Sequence, residues 1–314
     1  MNSLRFSGHE SFACRYAWLP KAYRAIIKDP NIFSDQDRAM VSLGVGKNMV
    51  RSIRFWVEIM GVADPLEDRT LEPTRFGEKV FDDRGFDPFL EDIRTLWLLH
   101  WNVAARLDDP LFAWDYLLHK WPYIELTRSE ALGAFKRESR RLNKSRSEVT
   151  LGEHLDIFLH TYVPKGGNAR PSEESLDCPL AELELLQVVG DRRVDGSGRR
   201  EPVYAFRREA KPDITMALFE YCLNDYWENR FAEEATLTYR DVAFAPGSIG
   251  QIFKLPEDDI RARLDAYTMP DSGLPFVYQP SAVQGLISRR DTRIRDFLTA
   301  VYIGEDSNAC ATTS

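Results

Sequence analysis

The chain has 314 residues, of which 44% are hydrophobic and 29% are charged, a balance typical of globular proteins that excludes a largely disordered chain. No run approaches the roughly 18–20 apolar residues of a membrane span, and the first residues lack the apolar core of a signal peptide, so we expect a cytoplasmic protein without membrane contact. The net charge of −8 means that any binding to nucleic acid must come from local basic patches.

The N-terminal segment 6–21 contains several aromatic residues. Among them lie four polar residues that could act on a phosphodiester. In such a site Glu10 would hold a magnesium or manganese ion and His9 would activate water, while Arg15 or Lys21 would steady the phosphate charge. The alternative is structural: Glu10 pairs with Arg15, and His9 caps or bridges secondary-structure elements. In this alternative Phe12, Tyr16 and Trp18 pin the segment onto the core.

Residues 35–82 have the pattern of a winged helix. Residues 37–43 form a short predicted helix, and the glycines at 44 and 46 form a tight break that needs permissive backbone angles. A longer helix is predicted over residues 47–61, with an apolar stripe and, on the opposite face, a charged row. The stripe comprises Met49, Ile53, Trp56 and Met60, and the row comprises Lys47, Arg51, Arg54 and Glu58.

A polar turn at residues 64–69 lies between two short apolar segments and indicates a hairpin. Helix, turn, helix and hairpin follow one another as in a winged helix, whose second helix enters the major groove of DNA. We therefore predict DNA contacts by Lys47, Asn48, Arg51, Arg54 and Arg69. The alternative is a plain helical hairpin whose basic face is only solvated.

Four further helices are predicted from apolar periodicity, at residues 88–107, 109–120, 128–142 and 148–162. The third of these carries a second basic cluster, from which Arg140 and Arg141 are predicted to contact DNA phosphates. A solvated basic helix face explains the same pattern equally well.

The polar segment 165–175 is predicted to link two domains, residues 1–164 and residues 176–304, and residues 305–314 are predicted to be a disordered tail. The first domain is helical and contains the winged helix. The second is predicted to be α+β, with hairpins at about residues 180–206 and 275–288. Its last hairpin follows two short helices, which indicates a second winged-helix-like unit with Arg289 and Arg290 at the DNA. The fold class is therefore mainly α with small β-hairpins.

Several other chemistries lack their sequence signals. Cys14, Cys178, Cys222 and Cys310 are scattered, which predicts reduced and mostly buried thiols rather than disulfides or a zinc cluster. The chain contains no GxxxxGK[ST], GxGxxG or HExxH motif, which argues against ATPase, dinucleotide oxidoreductase and zinc-enzyme functions.

Four segments, in this order, resemble the SspB family: residues 6–21, residues 43–50 (LGVGKNMV), residues 87–101 with the core motif TLWLLHW, and residues 176–180 (LDCPL). The resemblance implies a component of bacterial anti-phage systems that replace a non-bridging phosphate oxygen of DNA with sulfur. It further implies that the protein nicks one DNA strand, alongside a cysteine desulfurase, an ATPase and a sulfurtransferase.

The leading hypothesis is a metal-dependent DNA nickase of a phosphorothioation system. One alternative is a non-catalytic winged-helix adaptor or transcriptional regulator, for which DNA binding alone would suffice. Another is a helical scaffold that binds protein partners.

Overall fold

A computed structural model describes residues 4–67, 70–164, 178–194, 198–269, 273–281, 283–290 and 295–303. Within these ranges the chain is mainly α, with thirteen α-helices and eight short strands in small antiparallel sheets. The described helices include none that is both long and apolar enough to cross a membrane. Contacts divide the chain into two units, Met1–Arg207 and Arg208–Ser314.

The first unit contains eight helices among its described residues. The predicted helices at 37–43, 47–61, 128–142 and 148–162 are confirmed as α2, α3, α7 and α8, and the two tryptophan-rich predictions are confirmed as shorter helices, α5 and α6. Their bounds are α1 Trp18–Lys28, α2 Gln36–Leu43, α3 Lys47–Ile59, α4 Arg75–Phe81, α5 Ile93–Ala104, α6 Phe112–His119, α7 Arg128–Arg141 and α8 Glu148–Tyr162.

The break between α2 and α3 forms as the glycines predict. Asp35 caps α2 by accepting hydrogen bonds from the backbone N–H groups of Asp37 and Arg38. Gly44 ends α2 with φ +66°, a left-handed conformation that glycine adopts without steric cost. After α3, strands β1 (Ala63–Pro65) and β2 (Leu71–Pro73) form the predicted antiparallel hairpin.

A three-stranded sheet completes the first unit. Strands β3 (Glu125–Thr127), β4 (Leu186–Arg193) and β5 (Arg200–Phe206) lie in the order β3-β5-β4, with Leu126 opposite Tyr204. Because β5 pairs with β3, residues up to Arg207 belong to the first unit. The division therefore falls after this hairpin and not at the predicted segment 165–175, which lies outside the described residues.

The second unit repeats this connectivity. It contains α9 (Met216–Arg230), a strand, three short helices, a hairpin and α13 (Phe297–Ile303), and its sheet order is β6-β8-β7, again with the last strand in the centre. The remaining bounds are β6 Thr236–Thr238, α10 Tyr239–Ala243, α11 Ile249–Ile252, α12 Glu257–Asp265, β7 Phe276–Gln279 and β8 Leu286–Arg289. The predicted tail at 305–314 lies outside the described residues.

The N-terminal segment packs against α3 rather than extending into solvent. The backbone carbonyl of Phe12 accepts a hydrogen bond of 3.0 Å from the indole N–H of Trp56, and the Phe6 ring stacks on Phe112 with centroids 4.6 Å apart. Gly8 makes this path possible, because its φ is +119° and an added Cβ would lie 2.7 Å from the ring of Phe55. The Phe6 ring and the buried Trp18 side chain therefore hold the segment on the core, which agrees with the structural alternative for Trp18.

Replacement of Gly8 with alanine should destabilise the first unit. The positive φ and the collision with Phe55 each cost energy, and together they should lower the free energy of unfolding by about 2–4 kcal/mol. Urea denaturation measures the change. Gly198→Ala is the matched control: Gly198 has φ +66° but open space around it, so this variant should lose only about 1 kcal/mol. Equal losses in both variants would show that the approach to Phe55 contributes nothing.

Candidate nucleic-acid interface

The first half of α3 presents a polar surface over an apolar core. Lys47, Asn48 and Arg51 are exposed, whereas Ile53 and Trp56 are buried. Met60 of the predicted stripe is also buried, and Met49 is only partly covered. The helix therefore turns its apolar side inward and its basic side outward, as its periodicity predicts.

The charged row is not uniform along its length. The Arg54 guanidinium donates to the Glu58 carboxylate at 2.8 Å, and the two side chains are 26% and 16% exposed. This i,i+4 pair neutralises the row in the second half of the helix. Lys47 forms no ion pair with any described residue, so the cationic part of the row is its beginning.

The backbone N–H groups at the start of α3 are also accessible to a ligand. Gly46 is the N-cap residue and supplies no side-chain cap, and a Cβ on either Gly44 or Gly46 would meet no atom within 4 Å. The first N–H groups of a helix have no intrahelical acceptor and attract anions. Cationic side chains and these donors therefore share one end of α3.

Glu10 lies beside this surface. Its carboxylate is 4.0 Å from the Arg51 guanidinium, and Glu10 and Ser11 both have left-handed φ angles, of 48° and 64°. Arg15, the partner expected in the structural alternative, instead lies over the rings of Phe12 and Trp18, at 6.0 and 5.4 Å from their centroids. Lys21 is an exposed residue of α1.

His9 is 3% exposed and forms a buried pair with His154. The His9 Nε2 and His154 Nδ1 atoms are 3.0 Å apart, and the His154 Nε2 accepts a hydrogen bond of 3.0 Å from the backbone N–H of Ala113. His154 must therefore carry its proton on Nδ1 and donate it to His9, which places the His9 proton on Nδ1. That buried atom has no hydrogen-bond partner among the described residues.

Burial keeps both rings neutral. It lowers the pKa of His9 to about 4, and it lowers the pKa of His154 well below its ordinary value, with the neighbouring His9 acting in the same direction. His9 therefore bridges two elements, and none of its described contacts leads to a solvent-exposed acid or base. Its catalytic role stays a prediction. Sequence spacing gives no signal for the pairing, since the two histidines are 145 residues apart.

The described residues offer Glu10 no conventional metal site. They contain no group of three or more His, Cys, Asp or Glu side chains that could hold a metal ion, and the Glu10 carboxylate faces a cation, Arg51, at 4.0 Å. The magnesium or manganese ion expected from the sequence therefore stays a prediction.

The remaining predicted DNA contacts differ in availability. Arg140 is exposed, whereas Arg141 is held by both carboxylate oxygens of Glu138 at 2.7 Å. Arg289 lies 4.6 Å from the Trp227 ring centroid, and Arg290 donates to the Met269 carbonyl at 3.1 Å. Arg69 lies outside the described residues. Arg140 is therefore the most available of these cations.

The cysteine prediction is confirmed where it can be examined. Cys14, Cys178 and Cys222 are buried free thiols, and burial raises the pKa values of Cys14 and Cys222 well above the ordinary value. Cys310 lies outside the described residues. These thiols are therefore core residues.

Comparison with known proteins places this arrangement in a family. Residues 6–300 match the model of a family described as "Protein of unknown function (DUF4007)". The chain belongs to this family. Among solved structures, this DUF4007 chain is similar to one described as "Magnesium ion-bound SspB crystal structure", with 26% identity, a TM-score of 0.77, and coverage of 92% of this chain and 83% of that chain.

A second structure, described as "SspB crystal structure", matches the DUF4007 chain with 26% identity and a TM-score of 0.74, over 92% of this chain and 84% of that chain. A search of curated proteins finds no match. The similarity extends over both units, so the resemblance to the SspB family is confirmed, and the chain is SspB-like.

The buried histidine pair should make stability depend on pH. Each folded-state pKa lies below the unfolded value of about 6.5, so the unfolded state binds protons first as the pH falls. The contribution of the neutral histidines to the free energy of unfolding is fully present above about pH 6.5 and is lost as the pH falls towards 4. For His9 alone this loss is about 3 kcal/mol. Urea denaturation at pH values from about 7.5 down to about 5 measures this loss.

Comparison of variants separates this effect from the titration of carboxylates. His9→Asn should reduce the pH dependence over that range, because only the His154 contribution remains, whereas His160→Asn, at an exposed position of α8, should leave it unchanged. A His9→Asn protein that loses as much stability on acidification as the unmodified protein would contradict a neutral buried pair.

Proposed function

We propose that this protein binds duplex DNA through the start of α3, as an SspB-like component of a DNA phosphorothioation system. The observation that carries the proposal is the exposed polar row of Lys47, Asn48 and Arg51 at an uncapped helix start. Cationic side chains and free N–H groups are the groups that contact DNA phosphates. Asn48 and Arg51 can also hydrogen-bond to base edges in the major groove.

The surrounding elements fit a winged helix. Three helices, α1 to α3, precede the hairpin β1-β2, with α3 in the position of the recognition helix and the hairpin in the position of the wing. We extend the interpretation to the two three-stranded sheets, in each of which one strand is followed by helices and then by a hairpin. In these modules α8 and α12 take the position of α3.

Charge distinguishes α3 from its two counterparts. The exposed positions of α8 include Glu148 and Glu153, and α12 begins with the exposed acids Glu257 and Asp258. Carboxylates at these positions would repel a phosphate backbone. DNA contact is therefore assigned to α3.

Removal of the α3 cations should weaken duplex binding without unfolding the protein. Lys47→Ala and Arg51→Ala should each reduce the slope of log K against log salt concentration by about 0.9, because each phosphate contact releases condensed counterions. Fluorescence anisotropy with a labelled duplex across a salt series measures the slope. Arg54→Ala should change it less, because Glu58 already neutralises Arg54.

Lys28→Gln supplies a control with the same change in net charge. Lys28 is an exposed residue in the last turn of α1 and should leave the slope unaltered. If Lys47→Ala and Arg51→Ala give the same slope as Lys28→Gln, duplex DNA does not contact α3.

Strand nicking, which the SspB resemblance implies, is a second proposal. Of the four residues predicted for catalysis, Glu10 is the one placed beside the proposed DNA contact, 4.0 Å from Arg51. His9 is buried and neutral, and Arg15 packs on aromatic rings. A nicking centre in this segment would therefore use the Glu10 carboxylate without His9. The implied partners are the desulfurase, ATPase and sulfurtransferase of the system.

Substitution of the Glu10 carboxylate tests this assignment. Glu10→Gln removes one charge at nearly constant volume, so it should abolish conversion of supercoiled plasmid to open circles in magnesium or manganese while duplex binding is retained. Agarose electrophoresis measures the conversion and anisotropy measures binding. Normal nicking by Glu10→Gln would remove Glu10 from the centre. Duplex binding by the unmodified protein without any nicking would favour the non-catalytic adaptor.

A further inference from the structure

An aromatic groove of about 1040 Å³ lies on the first unit, between the loop 121–124 and helix α7. One side is the loop 121–124, whose sequence is Trp-Pro-Tyr-Ile and which connects α6 to β3. The opposite side is α7, where Gly133 and Ala134 leave the floor open and Arg137 forms the rim. Apolar side chains dominate the loop although it faces solvent.

Exposure makes the tryptophan of this loop unusual within the chain. All seven tryptophans fall in described ranges, and six of them are at most 4% exposed. Trp121 is the exception. Next to it, Tyr123 is 67% exposed and Ile124 is 52% exposed. The other six indoles are buried, whereas Trp121 lies at a groove beside the exposed Tyr123 ring. These two rings offer a surface for a flat, polarisable ligand.

The rings are held in place before any ligand binds. The Trp121 indole N–H donates to the Glu125 carbonyl at 3.1 Å, and Pro122 restricts the backbone that follows. The Trp121 and Tyr123 rings meet edge to face with centroids 5.5 Å apart, and Tyr116 lies 6.3 Å from Trp121 on the inner side. Stacking on these rings would cost little ordering entropy.

Charge at the groove favours an anionic ligand on one side. Arg192 is paired with Glu125 at 2.7 Å and with Glu130 at 2.9 Å, so these three side chains together carry one net negative charge. Arg137 is exposed and forms no ion pair with a described residue, and Arg140 lies one turn further along α7, also exposed. Cations thus follow one rim of a groove whose opposite wall is aromatic.

We propose that this groove binds unpaired nucleotides of single-stranded DNA, with bases stacked on Trp121 and Tyr123 and phosphates against Arg137 and Arg140. Aromatic platforms beside a cationic track are the usual means of binding single strands without sequence preference. The proposal goes beyond duplex binding by α3 and does not require it. It also gives the predicted phosphate contact at Arg140 a specific ligand.

Intrinsic fluorescence tests the proposal directly, because Trp121 is the accessible indole. Oligothymidylate should quench part of the emission of the full-length protein, and Trp121→Phe should remove that quenching while retaining a ring for stacking. Tyr123→Ala should weaken binding roughly 5- to 150-fold, the range for loss of one stacked base. Phe89→Ala is the matched control, since Phe89 is an aromatic residue 63% exposed elsewhere on the unit.

Two crossed variants separate this site from α3. Arg137→Ala should lower oligothymidylate affinity and reduce its salt slope by about 0.7, with duplex affinity unchanged. Arg51→Ala should lower duplex affinity and leave oligothymidylate affinity unchanged. Absence of quenching by oligothymidylate, or equal affinities of Tyr123→Ala and Phe89→Ala, would overturn the proposal. Quenching by a proline-rich peptide but not by oligothymidylate would also overturn it, in favour of a protein-docking groove.

Discussion

The hydrogen bond between two neutral, buried histidines holds the N-terminal segment in the first unit. With both rings neutral, His154 donates its Nδ1 proton to His9 Nε2, and the Ala113 N–H fixes which His154 nitrogen carries that proton. Together with the Trp56–Phe12 contact, this bond fixes the path of the chain through Gly8 to Glu10. The position of Glu10 beside Arg51 therefore follows from a contact buried within the core.

The proposed assignment of DNA contact to α3 rests on charge rather than on topology. The helices α3, α8 and α12 each precede a hairpin, and their backbones give no reason to prefer one for DNA. Their exposed residues differ: α3 begins with Lys47 and Asn48, α8 with Glu148, and α12 with Glu257. Repetition of one architecture with opposite surface charge is consistent with one nucleic-acid contact and two surfaces that avoid it.

Apolar periodicity predicted the helices well, because burial of one helix face depends on local spacing. The bounds of α8 were predicted to the residue, and the basic face of α3 was placed correctly. Features set by distant contacts were not predicted. The pairing of His9 with His154, the neutralisation of Arg141 by Glu138, and the position of the unit boundary depend on how the chain folds back. The loop at Trp121 was missed for another reason: an apolar tetrapeptide has the same composition whether it is buried or exposed.

The pairing of β3 with β5 has a consequence for biosynthesis. Glu125 lies opposite Ala205, so the central strand of that sheet leaves the ribosome about 80 residues after its neighbour. Until then neither β3 nor β4 has a strand partner, because both pair with β5. Nascent chains that stall within this interval would expose an adhesive strand edge, which makes them substrates for chaperones or proteases before the unit has closed.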